Sequence, residues 1–95
     1  MIPSIGRIVH YKLQQHDIES IRQQRFDGQN NFGDRGNPVE VGDVFPAMIT
    51  RVWDPEPTEE SVVQLQVFLD GNDQIWASSA HQGEENGQWR EPKRA

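Results

Sequence analysis

Two groupings of basic and aromatic side chains are where this sequence offers chemistry. Arg51 and Trp53 stand two residues apart, so in an extended strand they project from one face, where an indole can stack a base and a guanidinium can hold a phosphate. Arg7 and Tyr11, four apart with His10 between them, offer a similar grouping on an earlier segment. Arg7, His10, Tyr11, Arg51 and Trp53 form the candidate ligand-binding set. The ligand that suits them is a small anionic nucleotide. For Arg51 and Trp53, the competing reading is a core-edge tryptophan beside a salt-bridged arginine.

Other constellations do not reach a mechanism. His10, His16 and His81 lack the close spacing of zinc ligands, and no two sit four apart on a helix. His10 as a general base would need a nucleophile, and the nearby hydroxyls of Ser4 and Tyr11 form no recognisable arrangement with it. Glu56, Glu59, Glu60, Glu84 and Glu85 lie on polar stretches with no apolar neighbours to raise a pKa for acid catalysis. Asp70-Gly71-Asn72-Asp73 concentrates oxygen ligands but lacks calcium-loop spacing and a closing glutamate. It reads as a hairpin turn, Gly71 supplying a positive φ and Asn72 tolerating one. The expectation is a protein that is not an enzyme and carries no cofactor or metal.

The elements that would position these residues follow from periodicity. Ile5 to Leu13 alternates, with Ile5, Val9, Tyr11 and Leu13 on one parity, and predicts a first strand. Gln14 to Phe26 spaces Ile18 and Ile21 three apart, with Asp17 and Glu19 near its start and Arg22 and Arg25 near its end, and predicts a short helix. Residues 27–37, rich in Gly and Asn, predict a flexible irregular loop. Val44 to Trp53 is apolar on both parities, which predicts a strand buried on two faces, the second covered by the helix or a second subunit. Pro46 within it implies an edge strand or a bulge near its start.

Val63, Leu65, Val67 and Leu69 alternate with Gln64 and Gln66 in the clearest strand signal of the chain. With Gly71-Asn72 as a central turn pair, Leu69 faces Gln74, Val67 faces Trp76 and Leu65 faces Ser78. Trp76 then lies on the core side, with Phe68 and Ile75 outside. Residues 81–95 read as a polar tail anchored by Trp89.

Composition sets the bounds. Ninety-five residues make one domain, and 34% apolar residues plus eight glycines imply a core that is thin or completed by another subunit. Nine Lys and Arg against fifteen Asp and Glu give a net charge of -6, which disfavours generic nucleic-acid binding. The imbalance is local: Met1 to Asn37 holds five basic and four acidic residues (+1), Pro38 to Ala95 four and eleven (-7). Without cysteine there is no disulfide framework, and no segment reads as a signal peptide or membrane span. The expectation is a soluble, unprocessed chain.

The set Pro3-Ser4-Ile5-Gly6-Arg7-Ile8-Val9-His10-Tyr11, Gly36-Asn37-Pro38-Val39 with Gly42-Asp43, Pro46-Ala47 with Ile49 and Arg51-Val52-Trp53, and Leu65-Gln66-Val67 with Leu69-Asp70-Gly71-Asn72-Asp73 and Trp76 resembles a family of small tailed-phage and prophage proteins. The resemblance implies a phage protein acting in the bacterial host cytoplasm. Such proteins divide into virion or host-protein contact modules and anti-defence sponges that sequester cyclic nucleotide signals. The expected architecture is mainly β, a small SH3-like or OB-like antiparallel barrel of four to five strands with one short helix after strand one. The expected function is a non-enzymatic sponge for an anionic nucleotide, acting as a homo-oligomer, with a contact module as the alternative.

Overall fold

Alternating apolar residues at Val9, Tyr11 and Leu13, at Ala47 and Ile49, and at Val63, Leu65 and Val67 build one antiparallel sheet with a single buried face. The computed structural model describes residues 1–26 and 36–92. The elements are β1 (Ile8–Lys12), α1 (Gln15–Arg25), β2 (Val44–Val52), β3 (Val63–Phe68), β4 (Gln74–Ala80) and β5 (Trp89–Arg90). Their order across the sheet is β4-β3-β2-β1-β5, with every pairing antiparallel. The fold is mainly β, as expected. The sheet is open and is not closed into a barrel.

α1 packs along β4. Gln24 Nε2 donates to the Gln74 carbonyl at 3.0 Å, and the buried Ile18 and Ile21 face the core. Covering an edge strand with a helix shields its free backbone groups. At the helix start the Asp17 carboxylate accepts the Gln14 backbone N–H at 3.0 Å, one half of a capping box. At its end the buried Arg25 donates to Asp73 through Nε at 2.8 Å and Nη2 at 3.2 Å, and to the Asn37 carbonyl through Nη1 at 2.8 Å. One side chain thus ties α1, the segment after residue 35 and the β3–β4 loop together.

Several expectations are corrected. The first strand begins at Ile8, because Gly6 takes a left-handed φ of 91° and leaves Ile5 71% exposed. The β3–β4 register differs by one residue: Phe68 pairs with Gln74, Val67 with Ile75, Gln66 with Trp76 and Leu65 with Ala77. Ile75 is therefore buried and Trp76 is 63% exposed. The cause lies in the loop, whose centre is claimed by residues 36–37. Gly36 bridges Gly71, and the Asn37 N–H donates to the Asp70 carbonyl at 2.8 Å. A Cβ on Gly36 would sit 2.8 Å from the Gly71 Cα, so glycine is what permits this approach. Positive φ occurs at Gly6, Gly42, Gly87 and Ser79 and not at Gly71.

β2 is the middle strand, not an edge. Its Pro46 lies beyond the last pairing with β3, Ala47 with Val67. Since Ile49 donates toward β1, alternation aims Pro46, which has no N–H to offer, at that unpaired side. The bulge falls near the end of the strand, at Thr50. The second face of β2 is not buried as expected: Val44 is 39% and Met48 36% exposed. Of the loop expected over 27–37, residues 27–35 lie outside the described residues. Of the tail expected over 81–95, the described residues 81–92 fold back, with Trp89 fully buried on β5.

Candidate functional site

Strict alternation along β2 would put Arg51 and Trp53 on the parity of Ala47 and Ile49, inside the core. The bulge prevents this. Ile49 pairs with Leu65 and Arg51 with Gln64, so two steps on β2 match one on β3 and Thr50 is the extra residue. Val52 then faces the buried Val63, and Arg51 and Trp53 turn to the outer surface. Thr50 Oγ1 bonds the Gln64 carbonyl at 3.3 Å. A second bulge lies on β4, where Ser78 and Ser79 fit between the Leu65–Ala77 and Val63–Ala80 pairs. The Gln64 amide oxygen accepts the Ser79 N–H there, holding Ser79 at a φ of 57°.

These irregularities frame an open depression of about 410 Å³ lined by Thr50, Arg51, Trp53, Gln64 and Trp76. The Arg51 guanidinium carbon lies 4.7 Å from the centre of the Trp53 ring, a cation–π contact. Trp53 is 52% exposed, so indole surface remains for a ligand. Arg51 has no acidic partner among the described residues. By contrast Arg25 pairs with Asp73, Arg90 with Glu84 at 2.9 Å and Arg7 with Glu91 at 3.7 Å. The depression can therefore offer two aromatic surfaces and one cation without an acidic partner among the described residues to a planar anion, while the buried Gln64 amide oxygen is held by Ser79.

The structure joins two of the five sequence candidates. Arg51 and Trp53 meet. His10 lies on the outer face of β1 across from Pro46 and Arg90, at the other end of the sheet. Arg7 precedes β1 with its guanidinium turned to Glu91. Tyr11 is a core residue, 1% exposed, and its hydroxyl donates to Asp17 at 2.6 Å. Burial first, and then Asp17 as hydrogen-bond acceptor and neighbouring charge, push the phenol well above its ordinary pKa of 10.0. Facing the core, Tyr11 cannot share a surface with Arg51.

Sequence reasoning missed Trp76 and Gln64. Ile75 and Ala77 against Gln74, Trp76 and Ser78 carried the signal for Trp76, whereas Ala80 shares the parity of Trp76 and is buried only because the bulge intervenes. Nothing in the sequence marked Gln64 as more than an outward strand residue. Among the described residues no group of three or more His, Cys, Asp or Glu is placed to hold a metal ion, and no helix is long and apolar enough to cross a membrane. The chain matches no protein-family model, no curated protein and no solved structure.

Proposed function

We propose that this protein is a non-enzymatic binding module that holds a small anionic nucleotide in the depression formed by Arg51, Trp53, Gln64 and Trp76. The observation that carries the reading is Arg51, a cation stacked on an exposed tryptophan and lacking an acidic partner among the described residues of an acidic chain. A base stacks on Trp76 or on the free indole surface of Trp53, and a phosphate takes the guanidinium. In the phage setting implied by the sequence resemblance, the module is a sponge in the host cytoplasm that withdraws a cyclic nucleotide signal without cleaving it.

A calorimetric panel of cyclic di- and trinucleotides and cyclic ADP-ribose isomers tests this. One of them should bind, and Arg51→Ala should weaken it about ten- to a hundredfold, the worth of a charge-assisted bond of about 1.5–3 kcal/mol. Its melting temperature should hardly change, because Arg51 makes no ion pair with the described residues. Absence of binding across the panel overturns the proposal. A loss of stability in Arg51→Ala would assign the residue to architecture. A contact module is the second reading, favoured by the exposed apolar residues at the centre of the outer sheet face.

A further inference from the structure

Gln64 is the buried member of the depression, and its amide is already oriented. It stands across from Arg51 on the outer side of β3, between the core residues Val63 and Leu65, yet it is only 7% exposed. A backbone N–H can only donate, so the atom that meets the Ser79 N–H is the amide oxygen, and the NH2 is turned away from it. Ser79 offers that N–H from the left-handed φ of 57° at the β4 bulge. The Gln64 main-chain carbonyl is taken as well, by the Thr50 hydroxyl at 3.3 Å. Gln64 Nε2, by contrast, has no hydrogen-bond partner among the described residues. Nor is it sealed in, because the buried side-chain polar atoms without a partner among the described residues are Gln82 Oε1 and Trp89 Nε1. A side chain more than nine-tenths buried thus keeps two unclaimed N–H donors for the depression it lines.

The polar character of this lining is one-sided. Arg51 and the indoles of Trp53 and Trp76 carry donors only, and the described lining includes no carboxylate. With both Gln64 oxygens engaged, the remaining side-chain acceptor is the Thr50 hydroxyl oxygen.

We infer that the depression selects a purine whose edge consists of acceptors, guanine or hypoxanthine, over adenine, and that Gln64 Nε2 is the selecting group. Guanine shows O6 and N7 side by side, two acceptors and no donor, whereas adenine sets its N6 amine beside N7. A free carboxamide recognises adenine by donating to N7 and accepting from N6. With Oε1 committed to Ser79 that pairing cannot form, and the adenine amine meets donors. The inference rests on the nucleotide reading and adds the identity of the base. The guanidinium takes the phosphate, an indole takes the face of the base, and Gln64 takes its O6.

Calorimetric titration of the full chain with cyclic di-GMP, cyclic di-IMP and cyclic di-AMP tests it, because the three share their ribose and phosphate groups and differ only in the base. Cyclic di-GMP and cyclic di-IMP should bind alike, and cyclic di-AMP at least about fivefold more weakly, the lower end of what a paired base contact is worth. Gln64→Glu keeps an acceptor for the Ser79 N–H and puts an oxygen where the NH2 was, so it should abolish or invert the preference. Arg51→Ala should weaken all three ligands together and leave their ratio unchanged. Equal affinities, or tighter binding of cyclic di-AMP, overturn the inference and leave the binding site standing. A Gln64→Glu variant that retains the parent's far-ultraviolet circular dichroism and its full preference also overturns it. If that variant does not fold, the three-ligand comparison on the parent decides. Binding of none of the three overturns the inference too, and the nucleotide reading falls with it only if the cyclic trinucleotides and cyclic ADP-ribose isomers also fail to bind.

Discussion

Asp73→Ala should be among the most damaging single substitutions in the chain, and its effect should depend on pH. Arg25 and Asp73 have side chains only 6% and 8% exposed and are joined by two hydrogen bonds of 2.8 and 3.2 Å. Without the carboxylate, the buried guanidinium keeps one acceptor, the Asn37 carbonyl. Breaking a buried pair from one side costs about 3–5 kcal/mol. A 95-residue domain has only about 5–14 kcal/mol of total stability. At about 4–8 °C per kcal/mol, the melting temperature should fall by at least about 12 °C. The Arg25 hydrogen bond holds the Asp73 carboxyl below its ordinary pKa of 3.8 against the opposing effect of burial. The unfolded chain therefore takes up this proton at higher pH than the folded one. The stabilisation is fully present above about pH 4 and is lost as the pH falls below it. Urea titrations at neutral pH and near pH 2–3 should show the gap between parent and variant narrowing with acid. A loss under about 1 kcal/mol at neutral pH, or a gap unchanged in acid, would refute the reasoning.

Deleting one residue from a paired strand ordinarily swaps the faces of everything beyond it, but at Thr50 the bulge already holds the extra residue. Removal of Thr50 should keep the fold and cost about 0.5–1.5 kcal/mol for the lost bond to the Gln64 carbonyl, whereas a urea titration showing a loss above about 4 kcal/mol would contradict the bulge assignment. The raised pKa of Tyr11 means the folded chain holds that proton more tightly, so this contribution is complete below about pH 10 and fades as the pH rises above it. Tyr11→Phe should lose about 1–3 kcal/mol at neutral pH by leaving Asp17 short of a donor, and its unfolding midpoint should decline less than the parent's above about pH 10.

The long periodic segments were legible in the sequence. Val9, Tyr11 and Leu13, the isoleucines of α1, and Val63, Leu65 and Val67 all face the core, because one-sided burial imposes a period that composition cannot hide. What failed was the side on which particular residues emerge. Strand faces depend on counting by twos, and a single extra or missing residue reverses the outcome. At Trp76 the reversal comes from a loop held open by Asn37 and Arg25, contacts from 33 or more residues earlier in the chain. At Arg51, to which the sequence reading assigned no side, the outward direction comes from the bulge, which local propensity does not encode. The pairing of Arg51 with Trp53 survived because both lie beyond the same bulge and move together. Tyr11 was offered as a surface residue although its own alternation with Val9 and Leu13 already placed it inside.

The pairing of β1 with β5 joins His10 to Arg90 and Tyr11 to Trp89 across most of the sequence, whereas β1–β2, β2–β3 and β3–β4 join neighbouring strands. Closing so long a loop has the greatest entropic cost of any pairing in the sheet, and pairings of high contact order are reached late. Trp89 is fully buried, while Trp53 and Trp76 remain more than half exposed. Intrinsic fluorescence followed through refolding would thus report mainly on Trp89. The signal would time the arrival of β5 and leave the earlier assembly of β2, β3 and β4 nearly dark.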